Sequence, residues 1–293
     1  MQPNIFLTGA TGYIGGAIAD ALIASGRVVI GLARSDEART KLQSKGVFPI
    51  AGDLTAPAVL AQAVAASDGV IHAGTTNNGA IDEEAIRAIQ GALAGSGKPF
   101  IYTSGIWVIG DTGGKVADET WPVNPAALVA WRPRVEELVL QAAAQGIRTV
   151  VIRPGVVYGR GGGILRDFVN SARETGAARY VGTGENRWPV VHVEDLADLY
   201  VRALNCPPAT LLFAADATSF RVREIAEAAS RGAGRDGRTE AWPLEDARRT
   251  LGAYADALVL DQLISSDKAR TTLGWRPRSP SVLDDLRAGS YTK

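Results

Sequence analysis

Short apolar runs alternate with longer amphipathic stretches through the first half of the chain, and each run has the length and residue types of a strand. The runs are Asn4–Thr8, Val28–Ala33, Phe48–Ala51, Gly69–Ala73, Phe100–Ser104 and Arg148–Arg153. Between them the pattern predicts helices over Tyr13–Ser25, Asp36–Gly46, Ala56–Ser67 and Ala80–Gly95, each stopping at or near glycine or a small polar residue. Such alternation builds βαβ units. The expected fold class is therefore α/β, a doubly wound parallel sheet covered by helices on both faces, with a ligand crevice at the carboxyl ends of its strands.

The texture changes after Arg153. Pro154-Gly155-Val156-Val157-Tyr158-Gly159-Arg160-Gly161-Gly162-Gly163 is too rich in glycine for the interior of an element and reads as a mobile loop. Beyond it, shorter helices (Glu194–Leu204, Arg221–Arg231, Leu244–Ala255, Asp267–Leu273, Val282–Ala288) mix with brief strands (Arg179–Val181, Thr210–Ala214). The expected organisation is a nucleotide-binding domain over residues 1–155 and a smaller substrate lobe over 156–293, with some of the later segments returning to the first sheet. No internal repeat and no low-complexity tract is visible.

Bulk properties narrow the function. Lys plus Arg and Asp plus Glu both total 31, so the formal charge is zero and nothing global favours nucleic acid or an anionic membrane as partner. With one cysteine, Cys206, and two histidines, His72 and His192, disulfides within the chain and Cys/His zinc sites are excluded by count, and no metal is expected. No apolar run reaches the roughly 18 residues that a membrane helix needs, and the amino end enters a strand directly, so the expectation is a cytoplasmic protein.

The chemistry starts at the first turn. Asn4–Thr8 breaks into Gly9-Ala10-Thr11-Gly12-Tyr13-Ile14-Gly15-Gly16 and then into a helix, which is the context that turns a glycine triplet into a nucleotide cradle. Gly9 allows the tight turn, Gly12 admits a pyrophosphate against backbone, and Gly15 lets the helix pack closely, its amino end facing the phosphate charge. At the end of the second strand an acid bonds the ribose 2′-hydroxyl, whereas an arginine accommodates a 2′-phosphate. Here Arg34 and Ser35 follow Ala33, which favours NADP(H); Asp36 or Glu37 turned inward would serve NAD(H) instead. Asp53, after the third strand, either accepts from the adenine amino group or caps the helix that starts near Ala56.

Taken together, Thr8–Gly15, Gly52-Asp53-Leu54, Val70-Ile71-His72-Ala73, Tyr102-Thr103-Ser104, Arg153–Gly159, Val191–Ala197, Asp267–Arg270 and Leu273–Pro277 resemble the extended short-chain dehydrogenase/reductase superfamily, of the NAD(P)-dependent epimerase/dehydratase type. The resemblance covers nearly the whole chain. It implies a Rossmann-type cofactor domain, a small carboxyl-terminal substrate lobe, hydride chemistry at a nicotinamide and, from the two-helix interfaces frequent in the family, a homodimer. It also implies cofactor contacts at Gly9, Thr11, Gly12, Tyr13, Ile14, Arg34, Ser35, Asp53, Leu54, Ala73, Gly74, Thr103, Arg132, Pro154 and Val156.

One part of the family pattern is missing. Its members use a Tyr-x-x-x-Lys pair with a Ser or Thr, the lysine holding the nicotinamide ribose and easing the tyrosine's proton transfer. None of the tyrosines (13, 102, 158, 180, 200, 254, 291) has lysine four residues on, and no lysine lies between Lys115 and Lys268. Aligned on Glu136-Glu137-Leu138-Val139, the tyrosine slot falls on Leu128 and the lysine slot on Arg132, while Pro133 predicts a kink or a late helix start. The Ser/Thr slot falls on Gly105, next to Ser104. Arg132 can hold hydroxyls or a developing negative charge but stays protonated.

Candidates for what remains are Ser104, Arg132 and Tyr158 as catalytic groups, with Trp107, Trp131 and Trp188 walling an apolar substrate pocket. Tyr158 is either a proton donor or substrate contact, or a packed ring with its hydroxyl bonded locally. His72 and His192 read as structural. The leading functional expectation is an NADP(H)-dependent oxidoreductase that transfers hydride to a small carbonyl-like or conjugated substrate without the Tyr/Lys pair. The alternatives are a non-catalytic NADP(H) sensor and a sugar-nucleotide epimerase or dehydratase.

Overall fold

The computed structural model describes residues 3–292. The amino-terminal part alternates β1 Asn4–Thr8, α1 Tyr13–Ala24, β2 Val28–Ala33, α2 Asp36–Ser44, β3 Phe48–Ala51, α3 Pro57–Ala65, β4 Gly69–His72, α4 Gly79–Leu93 and β5 Pro99–Thr103. There follow β6 Val116–Ala117, α5 Arg132–Gln141, β7 Arg148–Pro154, β8 Val156–Tyr158, α6 Leu165–Thr175, β9 Ala178–Val181, β10 Arg187–His192, α7 Val193–Ala203 and β11 Thr210–Ala214. The chain closes with β12 Ser219–Arg221, α8 Val222–Gly232, β13 Thr239–Trp242, α9 Leu244–Leu251, α10 Ala253–Leu258, β14 Leu263–Ile264, α11 Asp267–Leu273 and α12 Val282–Ala288.

Seven strands form one sheet in the order β11-β7-β5-β4-β1-β2-β3, every neighbouring pair parallel. All four residues of β4 are buried, as a strand covered on both faces requires. One face is closed by α1 and α7, with Ile18, Leu22, Leu196 and Leu199 inaccessible to water. The other is closed by α3, α4 and α5 around Phe6, Leu60, Ile86 and Phe100. Each such side chain contributes roughly 1.5–3 kcal/mol on full burial. Strand order reverses between β1 and β4, and the crevice opens there, above the carboxyl ends of the strands.

A second core, around Phe168, Trp188, Ile225 and Leu286, lies among α6, α8, α12 and β10. Three local expectations meet a definite outcome. The glycine-rich stretch after Arg153 is not all loop: Val156–Tyr158 pairs in parallel with Val190–His192. Leu244–Ala255 is not one helix, because Gly252 (φ 58°, ψ −139°) breaks it into α9 and α10. The helix carrying Pro133 does start late, at Arg132, with the proline in its first turn, where a missing N–H costs nothing.

Candidate active site

The turn between β1 and α1 is built so that backbone alone faces the crevice. Gly9 has φ +74°, and a Cβ there would stand 2.6 Å from the Ala73 carbonyl oxygen. A Cβ on Gly15 would stand 2.1 Å from the Gly9 carbonyl oxygen, so this glycine serves the closeness of α1 to the turn itself. Gly12 caps α1 with no side chain bonded to the first-turn amides, and that turn holds no acidic residue. The amino end of a helix left in this state attracts an anion, and a dinucleotide diphosphate fits the cradle. Thr11 lies in the turn, and its carbonyl accepts from Lys41 Nζ at 2.8 Å. That cation comes from α2 and was not expected from the sequence. Across the crevice, Gly74 N–H donates to Thr8 Oγ1 at 3.1 Å, fixing Ala73-Gly74 against β1, with Leu54 packed beside Gly74.

On the far side of β2, a cavity of about 510 Å³ is lined by Arg34, Ser35, Asp36, Arg39, Gly52 and Asp53. Ser35 Oγ accepts from Ala38 N–H as the cap of α2, which leaves its own proton free to donate. Asp53 Oδ1 accepts from Thr55 N–H (2.8 Å) and Thr55 Oγ1 (2.6 Å), and these bonds hold its carboxyl below the usual range. It therefore shapes the approach to α3, whose cap residue is Ala56 with no side-chain bond, and its edge faces the cavity. Arg39, one helical turn beyond Ser35, is the second cation here; a guanidinium on an exposed helix gave no signal in sequence that it shares the cavity of Arg34.

A cleft of about 440 Å³ continues from the cradle past Tyr13 and Ile14, between Ser104, Arg132 and the Pro154–Val157 segment. Trp107, Leu128 and Trp131 supply its apolar walls. Ser104 follows β5 directly; its N–H donates to Ile152 and its Oγ is buried with no partner among the described residues. A buried hydroxyl left this way is ready for an acceptor that enters the cleft. Arg132 starts α5, donates from Nη1 to the Thr103 carbonyl at 3.2 Å, and lies 4.7 Å over the Trp131 ring. Thr103 Oγ1 accepts from Tyr200 Oη at 2.7 Å, which ties β5 to α7 beneath the cleft. Tyr13 lends its ring, not its hydroxyl, since Oη donates to the Gly159 carbonyl at 2.7 Å and burial pushes its pKa far up.

Two expected site residues stand elsewhere. Tyr158 turns into the core of the second lobe, its hydroxyl 2.8 Å from the Pro280 carbonyl and 2.9 Å from Asp216 Oδ2. Burial and that carboxylate push its proton affinity far up, so it is a packed ring with local bonds and not a donor to this cleft. Trp188 likewise belongs to the second core, stacked on Phe168 at 5.8 Å with Nε1 donating to the Leu258 carbonyl. Neither histidine offers a base. His192 Nδ1 accepts from Glu194 N–H as the cap of α7.

His72 is wholly buried beside Thr8, Nδ1 to Oγ1 at 3.0 Å, and burial pulls its pKa down to about 4. Because the folded value lies below the usual 6.5, the unfolded chain takes up this proton first as pH falls. His72 thus contributes stability that is complete above about pH 6.5 and is lost progressively toward pH 4. In denaturant titrations across that range, His72→Asn should flatten the pH dependence by up to one proton, about 1.4 kcal/mol per pH unit; an unaltered slope would show that the ring is not held neutral. Its neighbour Tyr102, stacked on it at 5.9 Å, has a buried hydroxyl with no partner among the described residues and Arg132 beside it.

Beneath the cleft, α5 and β7 are joined by the buried pair Glu136 and Arg153, with Nε to Oε1 at 2.9 Å and Nη2 to Oε2 at 2.5 Å. Among the described residues, no group of three or more His, Cys, Asp and Glu is placed to hold a metal ion, and no helix is long and apolar enough to cross a membrane.

A parallel sheet with its glycine turn at the switch point and a walled cleft beside it defines a Rossmann-type dinucleotide protein. The chain belongs to the NAD dependent epimerase/dehydratase family, whose model matches residues 5–210, and so to the extended short-chain dehydrogenase/reductase superfamily. The dinucleotide of the cradle is accordingly a nicotinamide one. It is 33% identical to an uncharacterised protein of Schizosaccharomyces pombe, over 98% of this chain and 99% of the other. It is 29% identical to a 4-hydroxy-2-methyl-3-oxo-4-farnesyl-3,4-dihydroquinoline-1-oxide ketoreductase of Stigmatella aurantiaca, over 75% of this chain and 70% of that protein. In fold it is similar to the UDP-glucose 4-epimerase of Thermotoga maritima, with a TM-score of 0.83 at 18% identity, covering 99% and 98% of the two chains.

Proposed function

We propose that this chain is an NADP(H)-dependent oxidoreductase that reduces a small, apolar or aromatic carbonyl compound. The observation that carries the reading is the cleft beside the phosphate cradle, whose lining includes the unpartnered Ser104 hydroxyl, Arg132 and two tryptophans. When bound, the reduced nicotinamide supplies the hydride. Ser104 donates a hydrogen bond to the substrate carbonyl oxygen, and Arg132 stabilises the negative charge that grows there. The guanidinium stays charged and passes no proton on, so the proton that the alkoxide takes, directly or by way of the Ser104 hydroxyl, comes from water at the mouth of the cleft. The ketoreductase relative acts on an oxo compound with an apolar body, which agrees with these walls.

The cleft also separates this reading from its competitors. A nucleotide sensor has no use for an apolar chamber beside the nicotinamide. A sugar-nucleotide enzyme needs cations for a diphosphate, yet Arg132 is the one cation in the lining among the described residues, and Arg187 of the second lobe is spent on a bidentate pair with Asp261. The test is NADPH oxidation by purified protein over a panel of aliphatic and aryl ketones, aldehydes and enones. Turnover of the apolar members supports the proposal. NADPH binding without turnover of any of them, or conversion of a UDP-sugar, would end it.

For the choice of NADP(H), Arg34 and Arg39, both in the lining of one cavity, and the free Ser35 proton are what recommend a 2′-phosphate there. Arg34→Ala should weaken NADPH binding about ten- to a hundredfold while changing NADH binding little, a charge-assisted pair being lost with the first and not the second. Calorimetry with both nucleotides reads the ratio; equal losses would leave the preference unexplained.

A further inference from the structure

A second cavity, of about 310 Å³, lies in the carboxyl-terminal lobe between α6, β9, β13 and the α9–α10 pair. Its lining is aromatic and aliphatic: Phe168, Tyr180, Trp188, Trp242, Leu251 and Tyr254 are among the side chains that face it. It adjoins the cleft of Ser104 and Arg132 at two points. Ile164 forms part of the wall of both. Trp107, a wall of the cleft, meets Tyr254, a wall of the second cavity, edge-on at 5.9 Å and 66°.

Charge within this cavity is sparse, and its one cation among the described residues is already paired. Arg179 lies 5.2 Å over the Trp242 ring with Glu240 at 3.6 Å. Asp167 is held above its usual range by burial alone, and Glu174 is the other acid in the lining. Two carboxyl groups with one neutralised cation repel an anionic guest, and the ring faces favour a flat apolar one.

We propose that this second cavity is the distal half of the substrate site and holds an uncharged apolar arm, aromatic at its far end, of the compound whose carbonyl lies at Ser104. The inference rests on the carbonyl-reductase reading and adds the shape of its substrate: an elongated molecule with a polar head at the nicotinamide end and a greasy, ring-bearing tail that passes Ile164. Trp107 and Tyr254 form the collar around the passage. The volume of the cleft takes the head, and the second cavity takes the ring.

The test is equilibrium binding of methyl ketones ending in a phenyl ring, with increasing numbers of methylenes between ring and carbonyl, to the protein saturated with NADP+. Quenching of tryptophan fluorescence is the readout, with NADPH turnover of the same compounds measured in parallel. Affinity should rise about fourfold for each methylene that enters the lobe, until the ring reaches its seat, and then level off. Leu251→Trp, which fills the cavity from α9, should abolish the rise; should that variant fail to fold, Leu251→Phe carries the same comparison. A flat series in the wild type, or a rise that survives the filling substitution, overturns the inference. The two readings fail separately. A rising series with no NADPH oxidation sinks the reductase reading and keeps the tail cavity, whereas turnover indifferent to tail length keeps the reductase and sinks the cavity's role.

Discussion

Replacing Arg132 with alanine is expected to lower kcat/KM for carbonyl reduction by about a hundredfold or more, the scale of losing one preorganised charge partner of a developing oxyanion. Arg132 holds its place in the cleft wall by a bond to the Thr103 carbonyl and by lying over Trp131. Its effect should fall chiefly on kcat, because the charge it meets exists mainly in the transition state. Arg132→Lys should recover part of the rate, the charge being kept and the fork lost. Rescue supplies a check that a purely structural role would not pass: free guanidinium added to the alanine variant should return part of kcat, the charge being restored without the side chain. A variant with kcat/KM within about threefold of wild type would remove Arg132 from the mechanism.

The largest effect on stability is expected at the pair beneath it. Glu136 and Arg153 are both almost wholly buried, 3% and 5% exposed in their side chains, and bonded side-on through Nε and Nη2. Removing one partner strands the other charge in the core, and Glu136→Ala or Arg153→Met should each cost roughly 3–5 kcal/mol. Replacing both together by apolar residues should restore most of it, since neither charge is then left alone. Urea titrations of the two single variants and the double variant read this as a coupling energy. If the single losses simply add in the double variant, the pair contributes nothing beyond its separate packing.

What could be read from the sequence and what could not divides along physical lines. The turn from β1 to α1, the run of parallel strands and the late start of α5 at Pro133 are set by local rules, glycine conformation, apolar period and a missing N–H, which operate within a few residues. The fate of Tyr158 depended on Val190–His192, a strand more than thirty positions further on, whose pairing fixes which way β8 faces. Nothing near Tyr158 announces that partner. Trp188 lines the cavity of the second lobe and not the cleft of Ser104 for the same reason: a large ring signals burial, and only the packing of α6 and α8 decides against what.

The glycines after Tyr158 were legible as glycines but not in purpose. Gly162 and Gly163 are small because Tyr13 and the Val157 carbonyl press on them, a Cβ on either coming within 2.5 Å. Lys41 and Arg39 escaped notice because a solvated helix face and one that meets a turn or a cavity have the same composition; their direction is set by where α2 lies against the cradle.

Tyr13 has a mechanical meaning. It is the first residue of α1 and so travels with the phosphate seat, while its phenol is pinned to Gly159 and its ring is bedded on the glycines that lead into α6. The floor of the lobe therefore cannot slide without tugging the helix end that grips the nucleotide. A displacement at either end of this strut is therefore shared by the other, so the amino end of α1 and the entry to α6 move as one piece.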